Sequence, residues 1–223
     1  MKIFNLTTGV IVLSMVLFAC SQTPKNAEET APEAELTIEN LKEAITEKTE
    51  LSDAYAIFSE AAKEEGMFNI AKMFTAAAEA EMIHVNSHQT ALKALGVNDF
   101  EPTIEKSVAF GLLLVLGTLE KYLEAAIDAE THEFTEMYPV FIETANAENA
   151  SDAVKSFKLA MEAEKRHAEH YKTVLELFKA DGNDKNVPQE WYICLICGDL
   201  TPTIEGTANC SICGEKTEKF KKF

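Results

Sequence analysis

The chain has 223 residues, with 37 acidic against 20 basic side chains and a formal net charge of −17. This acidic balance argues against binding to nucleic acid, whose phosphates would be repelled, and a hydrophobic content of 47% excludes global disorder. Glycine and proline are few, at 9 and 6, which favours helices. The length suits a medium-sized domain with a small one, or a single large domain.

The N-terminal residues are typical of an export signal. Met1 and Lys2 precede an apolar stretch, Val10–Ala19, which is shorter than the about 20 residues that span a membrane. The stretch ends in the letters LFAC, which resemble the bacterial lipobox, where the cysteine carries lipid after cleavage. We therefore predict a signal peptide over residues 1–19 and lipidation at Cys20. The alternative is an ordinary signal peptide with Cys20 near its cleavage site.

Lipidation would place the protein on the bacterial cell envelope, at the periplasmic or outer face, with the lipid anchor as its only contact with the membrane. Residues 20–36 are rich in Thr, Pro, Ala and Glu and have no apolar period, which predicts a flexible tether.

Four long helical stretches follow over residues 37–180. Apolar residues recur at helical spacing in the runs Leu41 to Glu65, Phe68 to Leu95, Leu119 to Ala147 and Ala150 to Ala180. The connection between the second and third runs is long, about 97–118, so the pattern predicts a four-helix bundle with one crossover connection. Within that connection, we predict that the apolar run Val108–Leu116 is a buried crossover or a subunit contact.

The two halves of the bundle repeat. An offset of 83 residues places Glu81 on Glu164 and His84 on His167, whereas nearer the helix starts the offset is 82. One extra residue in the third helix, as a single wide turn, would explain this slip. A repeat of this period predicts a duplicated helical hairpin with approximate two-fold symmetry.

Six polar side chains form three pairs, each one helical turn apart. The pairs are Glu81 with His84, Glu130 with Glu133, and Glu164 with His167. Buried charge is expensive unless it is compensated, and carboxylate and imidazole groups together suit two divalent or trivalent metal ions. The alternative is a solvated helix face, which is usual for a lone Glu-x-x-His. Two such motifs at equivalent positions of a repeat favour the metal site.

The C-terminal residues 188–223 predict a separate metal-binding module. Cys194 and Cys197 form one Cys-x-x-Cys pair, and Cys210 and Cys213 form another, with twelve residues between the pairs. Two such turns present four sulfurs at the corners of a tetrahedron, which suits iron or zinc. Disulfides are the alternative in an exported chain.

A two-metal bundle followed by a four-cysteine module resembles the rubrerythrin family. The resemblance covers nearly everything from Thr37 to Phe220, and its most specific stretch is ETHEFTEMYP, which begins at Glu130. The letters AEMIH, ending at His84, and AEKRH, ending at His167, are similar to the family's second- and fourth-helix motifs. The resemblance implies an all-α protein, a ferritin-like four-helix bundle with a small C-terminal rubredoxin-like four-cysteine metal domain.

The resemblance also implies an activity, that of a non-haem di-iron peroxidase. Electrons from an unidentified donor would enter through one iron in the four-cysteine site, where zinc is the alternative, and pass to two irons in the bundle. Hydrogen peroxide would be reduced there to water. Family members are typically homodimers in which the rubredoxin-like domain of one subunit approaches the di-iron site of the other, and we expect a homodimer here.

Each site residue receives a role from the same resemblance. The six implied iron ligands are Glu81 and Glu164 as bridges, Glu130 and His167 on one iron, and His84 and Glu133 on the other. Tyr55 and Tyr138 match tyrosines that lie beside the family's di-iron site.

Lys48 departs from the family pattern, because the family has a terminal Glu ligand at this place, seven residues before Tyr55. A protonated ammonium cannot bind a metal and would be repelled by one. Glu47 and Glu50 are candidates to replace the ligand, Glu47 through a wide turn in the first helix. Two other functions stay open: a ferritin-like protein that binds or oxidises iron, against which the cysteine-rich tail argues, and a non-enzymatic metal-binding lipoprotein with an impaired di-iron site.

Overall fold

The structure is a computed structural model that describes residues 34–104 and 117–223. The predicted signal peptide, the lipid site at Cys20, the tether up to residue 33 and the apolar run Val108–Leu116 lie outside the described residues. None of the helices in the two described ranges combines the length and the apolar character that a membrane span requires.

The described helices form four long rods. Their bounds are α1 Glu35–Glu64, α2 Phe68–Ala94, α3 Leu119–His132, a π-helical turn Glu133–Met137, α4 Tyr138–Ala147 and α5 Ser151–Asp181. Because α3, the π turn and α4 follow one another without a break, together they make the third rod. The predicted four-helix bundle is therefore confirmed.

The π turn explains the slip in the sequence repeat. A π turn inserts one residue relative to a regular α-helix, and it lies in the third rod, where the sequence predicted a wide turn. By contrast, α1 is α-helical throughout. The wide turn by which Glu47 could have been brought inward is therefore absent from α1.

Buried apolar side chains form two clusters in the bundle, with polar residues between them along α2. Phe74 and Ala80 belong to the first cluster, and Val85 belongs to the second. Glu81 and His84 lie at the boundary and are buried as well. The fold thus surrounds a polar centre with apolar packing on both sides.

The cysteine-rich segment, residues 188–223, folds as a small antiparallel sheet with the strand order β2-β1-β3. Its strands are β1 Tyr192–Cys194, β2 Leu200–Thr201 and β3 Phe220–Lys222. Trp191, Ile193 and Leu200 belong to the same buried apolar cluster as residues of the bundle. The segment and the bundle therefore share one core.

Two carboxylates from elsewhere in the chain cap helix starts. Asp184, in the connection after α5, accepts a hydrogen bond of 2.6 Å from the backbone N–H of Asn69 in α2. Glu148 accepts one of 2.8 Å from the backbone N–H of Thr37 in α1. Both contacts satisfy N–H groups that have no partner within the first helical turn.

Candidate metal centres

The six predicted bundle ligands come together between the rods, and we call them the bundle cluster. They are Glu81 and His84 on α2, Glu130 on α3, Glu133 in the π turn, and Glu164 and His167 on α5. Each of these residues is at most 2% exposed. The structure therefore brings together all six side chains that were predicted as the iron ligands of the bundle.

Four members of the cluster already have the geometry of a cation site. Glu81, Glu130, Glu164 and His167 each offer a ligand atom, and these atoms lie within 4.8 Å of one another. His167 Nδ1 lies 2.9 Å from Glu164 Oε2 and 3.7 Å from Glu130 Oε1. Three carboxylates with one imidazole suit a hard or borderline metal such as manganese or iron.

Lys48 lies inside the bundle cluster and is fully buried. Its Nζ is 2.5 Å from Glu164 Oε1 and 3.0 Å from Glu81 Oε2, and it also donates a hydrogen bond to Glu133. Burial acts to lower the pKa of Lys48, but these carboxylates raise it well above its usual value of 10.5. The ammonium therefore lies where the ligand from the first helix was expected.

Glu47 and Glu50, the two candidates to replace that ligand, are both only half-buried. Neither of them belongs to a converging group of possible metal ligands in the part of the chain that the structure describes. The structure therefore gives no support to a replacement ligand from α1.

The bundle cluster attracts positive charge. Burial raises the pKa of Glu130 to about 8, with a further rise from Glu164 and Glu81. Burial acts in the opposite direction on His84, yet Glu164 and Glu81 raise the pKa of His84 to about 9. Carboxylates that hold protons and imidazoles that gain them both indicate a surplus of buried negative charge, which bound cations would neutralise.

Unpaired atoms in the cluster fit metal binding as well. The buried oxygens Glu81 Oε1, Glu130 Oε2 and Glu133 Oε1 have no hydrogen-bond partner among the residues that the structure describes. Buried polar atoms are rarely left in this way, and metal ions bound between the carboxylates would satisfy them. The donor set of the cluster therefore fits iron.

Both histidines of the cluster also contact the cysteine-rich segment. His84 Nδ1 faces the carboxylates, 2.8 Å from Glu164 Oε1, while its Nε2 lies 3.0 Å from the carbonyl oxygen of Cys197. His167 Nε2 lies 3.0 Å from the carbonyl oxygen of Gly198. An Nε2–H that donates to a carbonyl fixes the tautomer and leaves the Nδ1 lone pair free for a metal.

The two predicted tyrosines lie next to the cluster but contact it differently. Tyr55 donates a hydrogen bond of 2.7 Å from its hydroxyl to Glu130 Oε1. The Tyr138 hydroxyl lies 3.0 Å from His88 Nε2, and the ring centre of Tyr138 is 5.9 Å from Lys48 Nζ. From the sequence, His88 was expected either at the surface or just behind the metal ligands, and the structure shows it fully buried. Its spacing of four residues from His84 on α2 is a signal for the same helix face.

The four cysteines form the second donor set. Their sulfurs lie within 4.8 Å of one another, with 3.6 Å between Cys194 Sγ and Cys213 Sγ and also between Cys197 Sγ and Cys210 Sγ. Thiolates about 2.3 Å from a tetrahedral metal would be about 3.8 Å apart. All four are free thiols in the structure, so it supports the metal site and not the disulfide alternative.

Glycine allows the two centres to approach each other. Gly198 has φ of +75°, and a Cβ atom at this position would lie 2.2 Å from His84 Nε2. Nearby, Arg166 Nε on α5 pairs with the buried Asp199 Oδ1 at 3.2 Å. The chain's own cysteine-rich segment thus makes the approach that the sequence resemblance implied between two subunits.

The fold and these two donor sets define a class of protein: a ferritin-like bundle with a carboxylate–histidine centre and an attached four-cysteine centre. The family model described as Rubrerythrin matches residues 39–175. Rubrerythrin-2 of Clostridium acetobutylicum is 36% identical over 169 residues, which cover 76% of this chain and 86% of that protein. Nigerythrin of Nitratidesulfovibrio vulgaris is 32% identical over 187 residues, or 84% of this chain and 86% of that protein.

A solved structure gives the same result. The fully reduced, all-ferrous state of nigerythrin aligns with a TM-score of 0.71 at 31% identity, covering 84% of this chain and 86% of that one. The chain therefore belongs to the rubrerythrin family of di-iron oxidoreductases. The family and the ferritin-like fold that the sequence predicted are confirmed.

Proposed function

We propose that this protein reduces hydrogen peroxide to water, by the reaction H₂O₂ + 2 e⁻ + 2 H⁺ → 2 H₂O, with electrons that enter at the four-cysteine centre. The observation that carries the proposal is the double contact between the two centres. The carbonyl oxygens of Cys197 and Gly198 each lie 3.0 Å from the Nε2 of a bundle histidine, His84 and His167 respectively. Two short routes of covalent and hydrogen bonds thus join a cysteine ligand to the bundle cluster.

Iron would supply the electron chemistry at both sites when bound, as the all-ferrous state named for the nigerythrin structure suggests. The chain's own residues set the geometry. Cys197 provides a thiolate and, through its own carbonyl, the contact to His84. The imidazole of His84 then turns its Nδ1 toward Glu81 and Glu164.

Burial of the cluster supports a very small substrate. Glu81, Glu130, Glu133 and Glu164 are all 0% exposed, so a substrate must reach them through the packed interior. Hydrogen peroxide is little larger than water and meets this requirement. Tyr55 holds Glu130 in place through its hydroxyl, which keeps the cluster ordered without adding bulk.

A stopped-flow experiment on the full chain tests the proposal. The iron-loaded protein is reduced under anaerobic conditions and mixed with hydrogen peroxide, and the visible absorption of the ferric four-cysteine centre is followed. We expect rapid reoxidation with two electrons consumed per peroxide. The control is Glu164→Gln, which should load the four-cysteine site but not the bundle. Reoxidation of the wild type no faster than that of Glu164→Gln would contradict the proposal.

For the cellular setting, we propose export and lipid anchoring at Cys20, an electron donor in the envelope, and a homodimer. The export signal and the LFAC sequence support the anchor. Intact-mass analysis and membrane fractionation of the wild type and of Cys20→Ala test it, and the variant should lose both the lipid mass and the membrane association. Equal partitioning of the two proteins would contradict lipid anchoring. Sedimentation equilibrium measures the oligomeric state.

A further inference from the structure

Lys48 divides the bundle cluster into two unequal halves. In the first half, Glu130 and His167 join Glu81 and Glu164 in a group whose ligand atoms lie within 4.8 Å of one another. In the second half, Glu133 and His84 face the same two shared carboxylates, but the Lys48 ammonium lies among them. We call these the first and second cation positions.

The contacts of Lys48 are those of a bound cation. Its Nζ lies 3.0 Å from Glu81 Oε2 on α2 and 2.5 Å from Glu164 Oε1 on α5, and it donates to Glu133 in the π turn. Three rods therefore each offer a carboxylate to a single positive group that is 0% exposed. A metal ion and this ammonium cannot share the space, because the carboxylate oxygens that would bind the metal are already paired with Nζ.

We propose that the Lys48 ammonium is the resident cation of the second position, so that the bundle loads its two metal ions in sequence. The first ion enters between Glu130 and His167, away from the Glu133 side on which Nζ lies. The second ion binds only by displacing Nζ from the carboxylates around it. The inference concerns metal loading and does not depend on peroxide being the substrate.

Charge explains why the two steps should differ in affinity. Displacement breaks the ammonium's three contacts with carboxylates in a buried site, and separating buried partners is costly enough to weaken the second step by at least about 100-fold. Lys48→Glu changes the formal charge by two units, which equals the charge of one divalent ion, and adds an oxygen ligand. The same cluster should then bind the second ion readily.

A manganese titration of the full chain tests the inference, with zinc first bound in the four-cysteine site. Carboxylate and imidazole ligands suit Mn²⁺, whereas thiolates retain zinc. Electron paramagnetic resonance separates an isolated Mn²⁺ ion from an exchange-coupled pair. In the wild type, we expect the first equivalent to give the isolated-ion signal and the coupled signal to appear only at concentrations about 100-fold higher or more.

Variants at position 48 test whether the Lys48 ammonium causes the weaker binding of the second Mn²⁺ ion. Lys48→Glu should give the coupled signal from the first additions of Mn²⁺. Lys48→Gln removes the positive charge, so the difference in affinity between the first and second Mn²⁺ ions should shrink at least about tenfold. Lys63→Gln is the matched control, because Lys63 also lies on α1 but is exposed and pairs with Glu60, three residues before it. It should titrate like the wild type.

Two results would overturn the inference. One is a wild type that binds two Mn²⁺ ions with equal affinity and shows only the coupled signal. The other is a Lys48→Gln variant that circular dichroism shows to be folded and that has the same difference in affinity between the two Mn²⁺ ions as the wild type. The wild-type titration decides the matter even if every variant at this position fails to fold. Because no step measures turnover, a protein without peroxidase activity that still loads in two steps would support this inference while contradicting the proposed function.

Discussion

Gly198→Ala should separate the four-cysteine centre from the bundle cluster. Gly198 has φ of +75°, and an added Cβ would lie 2.2 Å from His84 Nε2 and 2.8 Å from its Cδ2. Ordinary contacts between such atoms lie at about 3.5 Å, so the loop and the imidazole must move apart by roughly 1 Å. The substitution thus acts on the contact that carries the proposed electron transfer.

This displacement is large enough to break the hydrogen bonds between the two centres. The contacts from the Cys197 and Gly198 carbonyls to the histidines are 3.0 Å long, and a shift of roughly 1 Å takes them beyond hydrogen-bonding range. Losing two such bonds costs about 1–3 kcal/mol of unfolding free energy. The left-handed backbone adds about 1–2 kcal/mol for any residue with a Cβ.

Gly214→Ala is a control that isolates the clash with His84. Gly214 also follows the second cysteine of a Cys-x-x-Cys pair and has φ of +78°, but a Cβ there would meet no atom of residues 34–104 or 117–223 within 4 Å. The control therefore carries the backbone strain alone. Any further effect in Gly198→Ala reports the contact between the centres.

The assay compares the two variants in peroxide-driven reoxidation of the four-cysteine iron and in thermal unfolding. We expect reoxidation in Gly198→Ala to be slower than in Gly214→Ala by about tenfold or more, because catalytic steps are sensitive to displacements of this size. Its midpoint of unfolding should also be lower. Equal rates and equal midpoints in the two variants would refute the reasoning.

Three further changes have defined outcomes. Glu164→Gln should abolish metal loading of the bundle and leave the visible spectrum of the four-cysteine site intact, whereas the exposed Glu162→Gln should load normally; metal analysis that finds a full bundle in the first variant would contradict the assignment. Asp184→Ala should lower the unfolding free energy by about 1 kcal/mol in denaturant titrations, because the cap on Asn69 is lost; an unchanged midpoint would exclude this capping role. Hydrogen bonding to Thr37 lowers the pKa of Glu148 from its usual 4.5. The difference in unfolding free energy between the wild type and Glu148→Ala should therefore be full above pH 4.5 and vanish as the pH falls through the lowered pKa. A difference that persists in acid would contradict this role of the Glu148 carboxylate.

Local patterns made much of the fold and the cluster predictable. Helical periodicity depends on residues three and four positions apart, and so does the pairing of Glu81 with His84 or of Glu164 with His167. The repeat added long-range information, because its change in offset predicted the π turn of the third rod. The four cysteines were predictable for the same reason, since spacing alone brings each pair of sulfurs into one turn.

The docking of the cysteine-rich segment was not predictable in this way. Trp191 is 1% exposed and belongs to the apolar core of the bundle, and Arg166 reaches from α5 to Asp199. Each contact joins residues that no local pattern relates. An isolated cysteine module would have needed its own small apolar core, whereas here the bundle supplies much of it.

The position of Lys48 inside the bundle cluster could not be predicted from its residue type alone. A lysine would be repelled by metal ions that are already bound. Without metal ions, the fold still brings together Glu81, Glu133 and Glu164, which are all 0% exposed, and such a group of buried carboxylates attracts a cation. The ammonium of Lys48 is covalently held close by and pairs with all three. A positive side chain at a cation-binding centre is therefore a consequence of the same electrostatics that makes the centre bind metals, and the two compete for the same oxygens.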